Sequence, residues 1–201
     1  MAHRKVNKNY YRFGNAVVPK EVSKQPDIKV PKESLLPLSK GNSFIRIYTD
    51  ASYNIEMNIG VTSFIVTKNN EKIYSQSYTL SNAKGSTFSE LVAINRAIEY
   101  VYENINPKDV VELYTDSKMS VNAIMEGHLK KSKTDYWRLI DNIRSKENVN
   151  ILYVQAHTNG KGLHTQFNRQ ADQLCKKHLK EIVSEYKNSI INKNKNTNVI
   201  N

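Results

Sequence analysis

Segments rich in β-branched and aromatic residues alternate along the chain with segments whose apolar residues recur at helical spacing. The first kind predicts strands and the second predicts helices, in the order three strands, helix, strand, two helices, strand, helix. The strands are predicted at residues 43–50, 60–68, 71–80, 110–116 and 151–157, and the helices at 87–103, 117–126, 136–143 and 168–186. Consecutive strands favour an antiparallel meander, and strand–helix alternation favours parallel additions. The pattern therefore predicts an α/β fold with a mixed five-stranded sheet, an antiparallel meander plus two parallel strands, flanked by helices.

The two ends of the chain depart from this pattern. Residues 1–42 contain four prolines among alternating Lys and polar residues, which predicts a basic, flexible arm. Two interpretations are open for Tyr10, Tyr11 and Phe13 in the arm: they stack on bases, or they dock onto the domain. Residues 188–201 are rich in Asn and Lys, which predicts a disordered tail. The domain is therefore expected to span residues 43–187.

The formal net charge of +11 lies mostly on these ends, with +6 in residues 1–43 and +3 in residues 187–201. Basic ends attract polyanions without sequence preference, because each neutralised phosphate releases condensed counterions. The alternative is that the lysines only keep the protein soluble. A single cysteine, Cys175, excludes an internal disulfide and fits a reducing compartment. No apolar run approaches the roughly 20 residues of a membrane span, and the start is too polar for a secretory signal. A cytoplasmic, monomeric protein without membrane contact is expected.

Candidate chemistry lies in carboxylates placed at the ends of predicted elements. Asp50 and Asp116 end the first and fourth strands, Glu90 lies in the first turn of the first helix, and Asp172 lies near the start of the last. Two carboxylates 4 Å apart repel by about 4 kcal/mol at an effective dielectric constant near 20, so a converging cluster needs protons or cations. Oxygen ligands favour Mg²⁺ or Mn²⁺ over Zn²⁺. Two such ions about 4 Å apart can stabilise the attacking and leaving oxygens of a phosphoryl displacement.

Three of these acids also have a purely structural interpretation. Asp116 is a suitable N-cap for the helix that follows it, and Glu90 forms a capping box with Thr87. Asp172 fits a solvated position beside an apolar helical stripe. Asp50 has no obvious structural role at the end of an apolar strand. The order and placement of all four acids favour the metal site.

The same residues carry a resemblance to the ribonuclease H family. Its motifs match Tyr48-Thr49-Asp50, Glu90-Leu91 with Ala93, Tyr114-Thr115-Asp116-Ser117, and His157 followed by Asn168-Arg169-Gln170-Ala171-Asp172-Gln173-Leu174. The resemblance covers about residues 43–186. It implies endonucleolytic hydrolysis of the RNA strand of an RNA–DNA hybrid by two Mg²⁺ ions, leaving 3′-hydroxyl and 5′-phosphate ends. The hybrid is the expected partner.

The resemblance also implies a role for each residue of the site. Asp50 would bridge both ions, Asp172 would help to hold the ion that activates water, and Glu90 and Asp116 would hold the ion beside the leaving oxygen. His157 matches a mobile-loop histidine that handles protons or product departure, and an ordinary histidine pKa of about 6.5 suits that work. Alternatively, His157 is only one of two histidines, with His164, in a flexible loop.

Contacts to nucleic acid are expected around the carboxylates. By resemblance they involve Ser52, Ser86, Thr87, Ser117 and Asn168; the alternative for Asn168 is that it only begins the last helix. Gly85-Ser86-Thr87 stands where the family often has Thr-Asn-Asn, which puts strict hybrid selectivity in doubt. The basic protrusion of some members is absent. In its place, Lys130, Lys131 and Lys133 either contact phosphates or form a solvated loop.

Three other functions are compatible with the sequence. The first is a structure-specific DNA nuclease, or another relative of the same superfamily that shares the acid cluster. The second is a nucleic-acid-binding module without catalysis, against which four retained and mutually repelling acids argue. The third is the nuclease part of a larger polyprotein, although the initial Met and the basic arm favour a standalone chain. The ending His157…Asn168…Asp172 favours the hybrid nuclease, and residues 1–42 are expected to anchor it electrostatically to its substrate.

Overall fold

The computed structural model describes residues 11–12, 44–105, 111–126, 134–155 and 162–197. Its strands and helices, numbered in chain order, are β1 (Tyr11–Arg12), β2 (Ile45–Asn54), β3 (Ile59–Lys68), β4 (Glu71–Ser81), α1 (Ser86–Asn104), β5 (Val111–Thr115), α2 (Lys118–Glu126), α3 (Thr134–Arg144), β6 (Val149–Tyr153) and α4 (Leu163–Thr197). Within these ranges, none of the helices has the length and apolar character needed to cross a membrane.

The strands form a single mixed sheet in the order β1-β6-β5-β2-β3-β4. Strands β2, β3 and β4 make the antiparallel meander. Strand β5 is parallel to both β2 and β6. The predicted five-stranded sheet with two parallel additions is therefore confirmed, and the two-residue β1 extends it at one edge.

Strand β1 comes from the segment that was predicted to be a flexible arm. Tyr11 is paired with Ile151 and Arg12 with Asn150, in antiparallel orientation on β6. At these two positions the backbone is therefore part of the sheet, and the two interpretations of the aromatic side chains stay open. The rest of the arm lies outside the described residues.

Side-chain alternation along β2 separates the core into two layers. Ile45 and Ile47 point into the larger cluster, which α1, α2 and α3 cover, while Tyr48 points into a second cluster on the α4 face. The large layer is filled by fully buried residues with helical spacing on α1, namely Leu91, Ile94 and Ile98. Each such side chain contributes about 1.5–3 kcal/mol on burial. This packing fixes α1 and α4 on opposite faces of the same two strands.

Helix α4 is longer than the predicted helix 168–186 at both ends. It continues to Thr197 and so includes residues 188–197 of the segment for which a disordered tail is predicted. No Gly or Pro interrupts the segment, and each residue added to a formed helix gains a hydrogen bond at little cost. The helix also includes His164, which was predicted in a loop. The ring of His164 stacks on Tyr114 with centroids 4.2 Å apart, and its Nδ1 lies 3.0 Å from the hydroxyl of Tyr48.

Candidate active site

Parallel pairing of β2 and β5 brings the first two carboxylates together. Tyr48 is the register partner of Tyr114, and the pairing ends one residue later. Because side chains alternate along a strand, Asp50 and Asp116, two residues further on, share the face of the two tyrosines. Strand β2 continues past this point to Asn54, paired with β3. Asp50 is predicted to end the strand, but in the structure it lies inside β2. It does lie where the two parallel strands β2 and β5 diverge.

A close approach of α1 to the sheet positions the third carboxylate. A Cβ at Gly60 on β3 would lie 2.7 Å from the Ser89 hydroxyl, so only glycine fits there without a shift of its neighbours. Glu90 follows Ser89 on α1, and its buried side chain accepts a hydrogen bond from the backbone N–H of Ala51. Glycine on β3 and the amide of Ala51 on β2 thus fix Glu90 beside Asp50.

Three carboxylates meet at this point. Asp50, Glu90 and Asp116 each offer an oxygen, and these oxygens all lie within 4.8 Å of one another. Asp50 is 6% exposed and Glu90 is 8% exposed. Among the residues that the structure describes, Asp50 Oδ2 and Glu90 Oε2 have no hydrogen-bond partner. Buried carboxylate oxygens without donors are costly, so this trio calls for a proton or a cation.

The electrostatics of the trio agree with its geometry. Burial, followed by the charges of Asp116 and Asp172, raises the pKa of Asp50 to about 7. Burial, followed by the charges of Asp50 and Asp116, raises the pKa of Glu90 well above its ordinary value. A divalent cation would offset both the burial and the charge repulsion, because its positive charge neutralises the carboxylates and the unpartnered oxygens of Asp50 and Glu90 can bind it. A donor set made of oxygen alone fits Mg²⁺ or Mn²⁺, so the residues present suit the predicted ion.

The fourth predicted carboxylate lies beside the trio. Asp172 on α4 is one of the charges that raise the pKa of Asp50, which places it in the same electrostatic environment. Its side chain is 20% exposed, and both of its oxygens lie 2.8 Å from Lys176 Nζ, one helical turn away. Three predicted ligands are thus brought together, and the fourth is adjacent but engaged by a lysine.

The structural interpretations of two acids do not hold. The residue that caps α2 is Ser117, whose hydroxyl accepts a hydrogen bond from the Ser120 amide at 3.3 Å, so Asp116 is not needed as a cap. The N-cap of α1 is Gly85, without a side-chain cap bond, so Glu90 and Thr87 form no capping box. Neither carboxylate is therefore explained by helix capping.

Asn168 belongs to the site, and it does not begin the helix. It lies on the second turn of α4, is 5% exposed, and donates a hydrogen bond from Nδ2 to Asp116 Oδ2 at 3.3 Å. Its Oδ1 has no partner within the described part of the chain. Asn168 therefore orients one carboxylate of the trio, and its Oδ1 is available to accept a further hydrogen bond.

The remaining predicted residues are placed only in part. Ser52 is half-buried on β2 beyond Asp50, and Ser86 is exposed and Thr87 half-buried at the start of α1. Contacts from these residues, and from Ser117, to nucleic acid stay predictions. The other predicted site residues lie outside the described residues: His157, Lys130, Lys131 and Lys133.

Sequence reasoning missed the polar contacts that dock α4 behind Asp50. The Cys175 thiol donates to the carbonyl oxygen of Asp50 at 3.3 Å, and lies 3.4 Å from that of Val61. The Ser63 hydroxyl donates to the carbonyl oxygen of Ala171 at 2.8 Å. These partners are more than 100 residues apart in sequence, so no local signal could have paired them.

Comparison with known proteins decides the family. A model of the ribonuclease H family matches residues 42–180, most of the chain. The chain belongs to the ribonuclease H family. The matched range includes the three carboxylates of the trio, as well as Asp172 and Asn168. A ribonuclease H domain supports hydrolase and nuclease activity on RNA–DNA hybrids in general, and with it nucleic-acid binding. A comparison with curated proteins gave no match.

Proposed function

We propose that this chain is an endonuclease that hydrolyses the RNA strand of RNA–DNA hybrids, leaving 3′-hydroxyl and 5′-phosphate ends. The observation that carries the proposal is the trio Asp50, Glu90 and Asp116 inside a ribonuclease H domain. Asp50 and Glu90 are buried, and within the described part of the chain each keeps one carboxylate oxygen without a hydrogen-bond partner. Together with Asp172, these residues would hold two divalent ions, Mg²⁺ or Mn²⁺. When bound, such ions neutralise charge on the phosphoryl group and make water more acidic.

The contribution of the chain itself is to hold the carboxylates of the site in fixed positions. The backbone amide of Ala51 holds Glu90, and Asn168 holds Asp116. Asp50 is part of the sheet itself, with the thiol of Cys175 bonded to its carbonyl oxygen. Carboxylates held in this way need little reorganisation when the substrate phosphate arrives, and preorganisation of this kind is usually the largest contribution to catalysis.

The substrate side of the proposal rests on the residues around the trio. Ser52, Ser86, Thr87, Ser117 and Asn168 are proposed to contact the hybrid. His157 is proposed to move a proton or assist product departure, and Lys130, Lys131 and Lys133 to contact phosphates. The basic arm, residues 1–42, is proposed to add affinity through phosphate neutralisation. The protein is proposed to act as a monomer in the cytoplasm.

The experiment is a substrate panel with product analysis. Hybrid, single-stranded RNA, duplex RNA, duplex DNA and branched DNA, each end-labelled, are incubated with Mg²⁺ and with Mn²⁺. We expect internal cuts in the RNA strand of the hybrid. The new 5′ ends should carry phosphate groups, which a phosphatase removes. The Glu90→Gln variant keeps the side-chain shape but loses the charge, and it should be inactive. Cutting of branched DNA in place of the hybrid would assign the chain to the structure-specific DNA nucleases instead.

A further inference from the structure

The ion pair between Lys176 and Asp172 occupies a carboxylate that the proposed function needs. The ammonium of Lys176 lies 2.8 Å from both carboxylate oxygens of Asp172, so both are engaged at once. The two residues are one turn apart on α4, and the acid is N-terminal to the base, which is the favourable orientation for such a pair. A simple surface pair would explain this geometry equally well, but its surroundings are unlike those of a surface pair.

The surroundings are the other carboxylates of the site. The hydrogen bond with Asp172 is the main cause that raises the pKa of Lys176, and the negative charges of Asp50 and Asp116 raise it further. The Lys176 side chain is 60% exposed, so it is able to swing into solvent without breaking buried contacts. Lys176 is thus an exposed cation that lies next to a proposed cation site.

Asp172 also differs from the trio in what holds it. Oxygens of Asp50, Glu90 and Asp116 lie within 4.8 Å of one another. Among the residues that the structure describes, Asp50 and Glu90 each keep one oxygen without a hydrogen-bond partner. Asp172 is not a member of that group and already has a positive charge on both oxygens. An arriving ion therefore finds an unpartnered oxygen on Asp50 and on Glu90, whereas Lys176 engages both oxygens of Asp172.

We propose that Lys176 competes with the divalent ion for Asp172, so that the site binds a first ion at the trio and a second, weaker one only when Lys176 releases Asp172. This inference rests on the proposed metal-dependent function. The lysine would set the ion concentration at which the site becomes complete. It would also keep the four acids from repelling one another at full strength before the second ion binds.

The expected effect follows from the energy of an exposed ion pair. Such pairs are worth about 0.2–1 kcal/mol, which corresponds to an affinity change of about 1.5- to 5-fold. Replacing Lys176 by Gln should therefore tighten the weaker binding step about 1.5- to 5-fold. Lys176→Arg keeps the charge and should stay close to the wild type. Lys177→Gln is the matched control, because it removes the same charge from an exposed neighbour that lies on a different face of α4.

The test is a titration of the full chain with Mn²⁺ alone, without nucleic acid, followed by the paramagnetic resonance signal of the free ion. We expect two classes of bound Mn²⁺ in the wild type. The dissociation constant of the weaker class should fall in Lys176→Gln relative to Lys177→Gln, and remain unchanged in Lys176→Arg. Circular dichroism verifies that each variant is folded.

Two results would overturn the inference. One is equal weak-site affinity in Lys176→Gln and Lys177→Gln, which is what a simple surface pair predicts. The other is a single class of bound ion in every variant. Hybrid cleavage measured in parallel separates this inference from the proposed function. Tighter Mn²⁺ binding without cleavage would refute only the function, and cleavage with equal affinities would refute only the role of Lys176.

Discussion

Replacing Asp50 by Asn is expected to stabilise the metal-free fold at pH 8. Asp50 is 6% exposed, and burial together with the charges of Asp116 and Asp172 raises its pKa to about 7. In the unfolded chain an aspartate has a pKa of about 3.9. Each unit of difference corresponds to about 1.4 kcal/mol, so ionising Asp50 costs the folded state on the order of 4 kcal/mol. Asn carries no charge and removes that cost.

The sign and the pH window of this effect follow from proton linkage. Below about pH 4, Asp50 is protonated in both the folded and the unfolded protein, and its ionisation costs nothing. Between about pH 4 and pH 7, the unfolded chain has released the proton that the folded protein keeps, so the stability of the wild type falls as pH rises. Above pH 7 the cost is complete. The advantage of Asp50→Asn should thus be small near pH 4 and on the order of 4 kcal/mol at pH 8.

The assay is urea unfolding followed by circular dichroism, in a chelator, at several pH values between 4 and 8. Asp141→Asn is the control, because it makes the same chemical change at an exposed position on α3. It should change the free energy of unfolding by less than about 0.5 kcal/mol throughout. If Asp50→Asn is no more stable than the wild type at pH 8, or if its advantage does not depend on pH, the reasoning about the buried charge is refuted.

Three further predictions concern the supports of the site and its ion. Gly60→Ala should lower the free energy of unfolding by about 1–3 kcal/mol, because the new Cβ would lie 2.7 Å from the Ser89 hydroxyl; an unchanged urea midpoint would show that α1 does not approach β3 this closely. Ser117→Ala should lose about 1 kcal/mol with the cap on Ser120, and unfolding at the wild-type midpoint would contradict the cap. Mg²⁺ at 100 times its dissociation constant should stabilise the wild type by about 2.7 kcal/mol, and a melting temperature indifferent to Mg²⁺ would argue against the metal site.

The sequence was informative where a residue's place depends on local periodicity. Alternation along β2 and β5 put Asp50 and Asp116 on one edge, because parallel strands in register carry equivalent residues side by side. The helical spacing of Leu91, Ile94 and Ile98 placed Glu90 on the helix that covers this edge. These features need no knowledge of distant contacts, so the fold class and three carboxylates of the site could be predicted.

Other features depend on contacts that no local pattern encodes. The pairing of Tyr11 with Ile151 joins residues that are far apart in the sequence, and a two-residue strand has no periodicity to detect. Helix α4 begins at Leu163, before the predicted start at residue 168, and includes His164, which stacks on Tyr114. The spacing of Asp172 and Lys176 was visible in the sequence, but its importance emerges only when Asp50 and Asp116 are found nearby.

The central claim, that Asp50 belongs to a metal-dependent nuclease site acting on RNA–DNA hybrids, is tested most directly by one cleavage assay. A hybrid with a labelled RNA strand is incubated with Mg²⁺ and the wild type, Asp50→Asn or Asp141→Asn. We predict RNA cleavage by the wild type and Asp141→Asn, which a chelator abolishes, and none by Asp50→Asn, although that variant is folded. Cleavage by Asp50→Asn at the wild-type rate, or an intact hybrid with the folded wild type and either Mg²⁺ or Mn²⁺, would contradict the account.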